Sequence, residues 1–126
     1  MPRPILDEAR LHPAIHDAVV HYQADIVHNV QAAANANPVL VVGMAGNPHC
    51  RRARQSLDAA GVAYQYLEFG SYFNQWRRRN ALKMWTGWPT FPMIFVNGAL
   101  IGGASDLDKL LATGELAQML AAGRAA

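Results

Sequence analysis

The chain holds one cysteine, set in the turn Asn47-Pro48-His49-Cys50 that follows an apolar run and opens an amphipathic stretch. A thiol at a helix N-terminus meets unpaired backbone N–H groups and the positive end of the helix dipole, so it titrates low and becomes a nucleophilic thiolate. Cys50 falls in such a first turn, beside His49 and close in sequence to Arg51, Arg52 and Arg54, all of which favour the charged form. Catalysis through Cys50 therefore requires an accessible thiol with a lowered pKa. Free cysteine is also among the most buried residue types, and burial raises a thiol pKa; on that reading Cys50 is an inert core residue. Asn47 holds the leading position of the turn. An amide cannot attack a disulfide, yet asparagine is one of the best N-caps and its NH2 group can donate to a bound thiolate.

The elements that must position this turn are legible around it. Val39-Leu40-Val41-Val42 is a short continuous apolar run, the pattern of a strand buried on both faces. The stretch from Pro48 to Ala60 reads as a helix closed by Gly61, which accepts a left-handed C-cap without steric cost. A strand is predicted from Val62 to Glu68, a helix over roughly residues 73–84, and a strand from Met93 to Val96. Asn97-Gly98 signals a type I′ hairpin into a partner strand, Ala99 to Ile101, and the last helix is predicted to begin at about Leu107. Ahead of all this, Ile15, Val19, Tyr22, Ile26 and Val30 form one apolar stripe at helical spacing, ended at Asn35-Ala36-Asn37-Pro38. The order helix, β, α, β, α, β, β, α gives a parallel βαβ unit, then a hairpin and a covering helix. That predicts an α/β fold with a mixed four-stranded sheet flanked by helices and an extra N-terminal helix. The organisation expected is a helical extension over 1–37 packed on the domain, a domain over 38–120, and a frayed tail over 121–126.

Composition narrows the function classes. A length of 126 residues, 52% apolar and 16% charged, suits one globular domain. Neither a membrane-spanning run nor the apolar core of a signal peptide is evident, so a cytoplasmic protein is expected, with its lone thiol reduced. The net charge of +2 includes two basic clusters, Arg51, Arg52 and Arg54, and Arg77, Arg78 and Arg79. They lack the interleaved aromatic surface that nucleic-acid binding needs, so neither a nucleic-acid nor a membrane partner is expected. His21, Asp25 and His28 share a helix face but read as solvated polar positions, and Trp76, Met84, Trp85 and Met93 as core or groove lining.

Four segments carry a family resemblance over roughly residues 38–120. Asn47-Pro48-His49-Cys50-Arg51-Arg52-Ala53 is similar to the CPYC turn and following helix of the glutaredoxins. Trp88-Pro89-Thr90-Phe91-Pro92 resembles the WPT-x-P segment of the monothiol class, with Pro92 at the family's cis-proline. Phe95-Val96-Asn97-Gly98 through Ile101-Gly102-Gly103 resembles its hairpin and double glycine, and Ala104-Ser105-Asp106-Leu107 its CSDL or CDDL step.

The resemblance implies a thioredoxin-like fold and glutathione-dependent thiol–disulfide exchange, with glutathione as co-substrate and glutathionylated or other thiol proteins as partners. Asn47 stands where the family has its nucleophile and Cys50 where it has its second cysteine. The implied glutathione contacts are Phe91 and Pro92 for the cysteinyl part and Ser105 and Asp106 for the γ-glutamyl end. Arg79 and Lys83, on one face of the third helix, are implied for the glycyl carboxylate. The lysine that the family places before its turn is replaced by Met44-Ala45-Gly46. Without a thiolate at the first position of the turn, no iron–sulfur cluster is expected. Three functions stay open: a single-thiol oxidoreductase working through Cys50, a transferase-like enzyme in which Asn47 holds the thiolate of bound glutathione, and a non-catalytic interaction module.

Overall fold

The computed structural model describes residues 3–125. Strand β1, Val39–Gly43, is buried along its whole length, as a continuous apolar run demands of a strand covered on both faces. It lies inside a four-stranded sheet of order β2-β1-β3-β4, with β2 at Gln65–Glu68, β3 at Met93–Val96 and β4 at Ala99–Gly102. β1 runs parallel to β2 and antiparallel to β3. β3 turns into β4 through Asn97 and Gly98, both at positive φ, the conformation that a type I′ turn requires.

Side-chain alternation divides the core in two. Leu40, Val42, Met93 and Phe95 join Ile26, Val30 and Ala34 of α2 (Ala24–Ala36) and Ala81 and Leu82 of α4 (Trp76–Thr86) on one face. Val39, Val41, Ile94 and Val96 meet Ala53 and Leu57 of α3 (Pro48–Ala59), Leu107 of α5 (Ala104–Thr113) and Leu116 of α6 (Glu115–Ala125) on the other. A mixed sheet between two helical layers, entered through a β1–α3–β2 crossover, is the thioredoxin-like fold expected.

Several boundaries move for physical reasons. The single N-terminal helix is two: α1 at Pro13–His21, then a break at Gln23, which sits at φ 48°, before α2. Only the second half of the apolar stripe has a surface to meet, so Ile26 and Val30 are buried while Ile15, Val19 and Tyr22 stay exposed. β2 starts at Gln65 rather than Val62, because its parallel register sets Gln65 opposite Leu40 near the start of β1. The third helix begins at Trp76, after a second left-handed residue, Gln75, and ends at Gly87. The last helix begins at Ala104, three residues earlier than predicted, and Gly114 divides it from α6. α6 runs to Ala125.

Candidate active site

The turn before α3 is a capped helix start. Asn47 Oδ1 accepts from the backbone N–H of His49 at 2.8 Å and of Cys50 at 3.2 Å. Pro48 takes the first helical position, where a missing N–H leaves nothing unpaired. The segment leading in is fastened to the loop after β2, with Phe69 N donating to Gly43 O at 2.9 Å and Ala45 N to Gly70 O at 2.7 Å. With its oxygen committed to the cap, Asn47 retains its amide NH2 as a donor.

Cys50 does not meet the requirement for an accessible, low-titrating thiol. It is 2% exposed and packs with Met44, Phe91 and the α2–α4 side of the core. Burial pushes its pKa up, and the charge of Glu68 adds to the rise; a backbone hydrogen bond at Met44 and the Arg54 guanidinium pull the other way and do not compensate. The thiol is walled in by neighbours of fixed shape. A Cβ placed on Gly43 would lie 2.9 Å from Cys50 Sγ and 3.1 Å from the Tyr66 hydroxyl, so only glycine fits between sulfur and ring. Tyr66 is held in turn: its hydroxyl donates to Glu68 Oε1 at 3.0 Å and the Arg54 guanidinium lies 4.1 Å above its ring. Burial and that hydrogen bond push the Tyr66 pKa up to about 12. The helix dipole favours a thiolate at Cys50, but the loss of water outweighs it.

A groove of about 280 Å³ opens on the other side of the same turn. His49 and Arg52 of α3 form one wall, the Trp88–Pro92 segment contributes Trp88, Thr90, Phe91 and Pro92, and Gly103 to Asp106 form the other wall. The Phe91–Pro92 peptide is cis, as the resemblance implies. Asp106 Oδ2 accepts from Gly103 N at 2.9 Å, tying down the start of α5. Gly102, at φ +116°, leaves the room this needs, since a Cβ there would run into the Asp106 carboxylate.

Of the residues expected at the site, His49, Phe91, Pro92, Ser105 and Asp106 line this groove together. Arg79 is committed elsewhere: it is buried, and its Nη1 donates to the carbonyls of Phe69 at 3.0 Å and Asn74 at 2.6 Å. Lys83 lies beside Phe91, its Nζ 5.8 Å from the ring centroid. Sequence reasoning placed Arg52 only in a basic cluster; the structure sets it on the groove wall, where Nη2 donates to Ser105 Oγ at 3.0 Å. The available signal was spacing, because Arg52 follows His49 by three residues and shares its helix face. Tyr66 and Gly43 were missed because nothing local marks a contact across the parallel strand pair. Among the described residues, no group of three or more His, Cys, Asp or Glu is gathered as a metal would need.

A thioredoxin-like sheet, a capped active-site turn and a cis-proline beside it define the scaffold of a thiol oxidoreductase. The chain belongs to the glutaredoxin family, whose model, described as Glutaredoxin, matches residues 39–101. A glutaredoxin-like protein of Dictyostelium discoideum is 44% identical over 102 residues, spanning 81% of this chain and 83% of its own. A probable monothiol glutaredoxin of Legionella pneumophila is 36% identical over 76 residues, covering 58% of this chain and 82% of its own. Among solved structures, a buckwheat glutaredoxin–glutathione complex superposes with a TM-score of 0.72 at 27% identity, covering 82% of this chain and 94% of that one.

Proposed function

We propose that this chain binds glutathione in the groove between α3 and α5 and is a single-thiol member of its family. The observation that carries the reading is the convergence of His49, the cis Phe91–Pro92 peptide and the Ser105–Asp106 helix start on one groove. The buckwheat relative solved with glutathione supports the choice of ligand. Exchange, in this reading, passes through Cys50. Its thiolate attacks the glutathionyl sulfur of a protein–glutathione disulfide, leaving Cys50–SG and a protein thiolate that takes up a proton. A glutathione thiolate then attacks the glutathionyl sulfur of Cys50–SG, giving oxidised glutathione and restoring the Cys50 thiolate. Because Cys50 is buried and its pKa raised, this exchange is slow at neutral pH and requires the wall around the sulfur to open.

The same burial favours a second reading. Asn47, whose amide NH2 is free of the cap, holds the thiolate of bound glutathione, and that thiolate attacks an electrophile in place of a protein thiol. A glutathione titration of the native protein and of Cys50→Ala, with turnover of a glutathionylated peptide, tests both. Binding by both proteins is expected, with turnover by the native one alone and only as pH rises above about 9, where the buried thiol begins to ionise. Absence of binding at millimolar glutathione contradicts both readings, and glutathione-dependent activity that survives Cys50→Ala selects the second.

A further inference from the structure

The cations that the family resemblance implies for this groove, Arg79 and Lys83, belong to the glycyl end, and none is implied for the γ-glutamyl α-carboxylate. No lysine precedes the turn, Arg79 is tied to two backbone carbonyls, and Lys83 lies against the Phe91 ring. Yet a tripeptide with two carboxylates needs a counter-charge where it is partly desolvated. We propose that Arg52 supplies it, as the residue that recognises the α-carboxylate of the γ-glutamyl group; the proposal rests on the glutathione reading above.

The geometry supports a preset guanidinium. Arg52 Nη2 donates to Ser105 Oγ at 3.0 Å, which brings the charge from α3 across to the start of α5. Arg52 Nε lies 3.5 Å from Asp108 Oδ2, and the other oxygen of that carboxylate accepts from Ser56 Oγ at 3.0 Å. Asp108 and Ser56 therefore act as positioning residues. A guanidinium offers five N–H donors in a planar fork suited to a carboxylate, so the contacts to Ser105 and Asp108 leave donors for a ligand. The ion pair is about half exposed on both sides, and such pairs contribute little to stability. Turning the fork toward a ligand thus sacrifices little of the fold. Asp106 sits on the same wall with one carboxylate oxygen on Gly103 N and the other free to accept. A guanidinium and a carboxylate side by side complement the paired carboxylate and ammonium of an amino-acid head group. A γ-glutamyl residue carries that pair, and a cysteinylglycine does not carry it at the same end.

The test is a titration of native protein, Arg52→Gln and Arg52→Lys with two ligands: glutathione, and 4-aminobutyryl-cysteinyl-glycine, which lacks only the γ-glutamyl α-carboxylate. The native protein is expected to bind the analogue about tenfold more weakly than glutathione, the scale of one charge-assisted hydrogen-bonded contact. Arg52→Gln is expected to bind both ligands equally and weakly, and Arg52→Lys to recover part of the difference. Equal affinity of native and Arg52→Gln protein for glutathione overturns the proposal while leaving the glutathione reading intact. So does a loss in Arg52→Gln that is the same for both ligands, the mark of a merely structural role. A native protein that binds neither ligand overturns the glutathione reading and this proposal with it.

Discussion

The two sides of the first turns of α3 obey different physics although consecutive residues of one helix build them. On the groove side, His49 and Arg52 meet the Trp88–Pro92 segment and the start of α5, where Arg52 donates to Ser105 Oγ. On the core side, Cys50 has lost its water and is bounded by Met44, Gly43 and Tyr66. Successive helical residues point about 100° apart, so the single step from His49 to Cys50 moves from groove to core. Recognition and reactivity can therefore diverge within one turn. The groove surface stays open to solvent, whereas the sulfur one residue after His49 packs as a small apolar side chain.

Disturbing the core side should have the largest effect. Gly43→Ala places a methyl group 2.9 Å from Cys50 Sγ, and overpacking of this kind costs about 1–3 kcal/mol. Denaturant unfolding of Gly43→Ala, Cys50→Ala and the double variant is expected to show part of that loss relieved when the sulfur is gone. Strict additivity contradicts the contact. The cap of the turn responds less: Asn47→Ala removes the acceptor of two N–H groups and is expected to lower stability by about 1 kcal/mol in the same assay, the usual size of a lost N-cap.

A third prediction follows the charge state of the buried thiol. Its pKa is raised from 9.0 in the native state, so the unfolded chain releases the proton first as pH rises. The contribution is complete below that value and is lost as pH climbs from about 9 toward the native pKa. Thermal unfolding across neutral to alkaline pH should show a decline in stability above about pH 9 that is shallower in Cys50→Ala. The smallest effect is assigned to the exposed Arg52–Asp108 pair: Asp108→Ala is expected to change stability by less than about 1 kcal/mol. A larger loss would place that pair with the core rather than with the groove.

What the sequence discloses differs between these two regions as well. The groove is built from local signals, namely Trp88 to Pro92, the double glycine and the Ser105-Asp106 step, and each maps to a backbone feature that its own residues dictate. Strand β1 and the Asn97-Gly98 turn are legible for the same reason. The shielding of Cys50 is not, because it depends on Tyr66 reaching across from a strand sixteen residues away and on the absence of a Cβ at Gly43. The fate of Arg79 is equally hidden: helical spacing put it on a face with Lys83, but the loop at Phe69 and Asn74 folds back and claims its donors. The break at Gln23 carries no glycine or proline to announce it; the apolar stripe is continuous in sequence, and only the lack of a partner for Ile15 and Val19 divides it.

The central claim is that the thiol beside the groove proposed for glutathione is shielded, and the rate of Cys50 alkylation as a function of pH tests it most directly. Alkylation that is negligible at neutral pH and rises only above about pH 9, with a midpoint that falls in Tyr66→Ala, is the predicted result. A native thiol that is alkylated rapidly at pH 7, with a midpoint below the ordinary cysteine value of ~8.5, would contradict it.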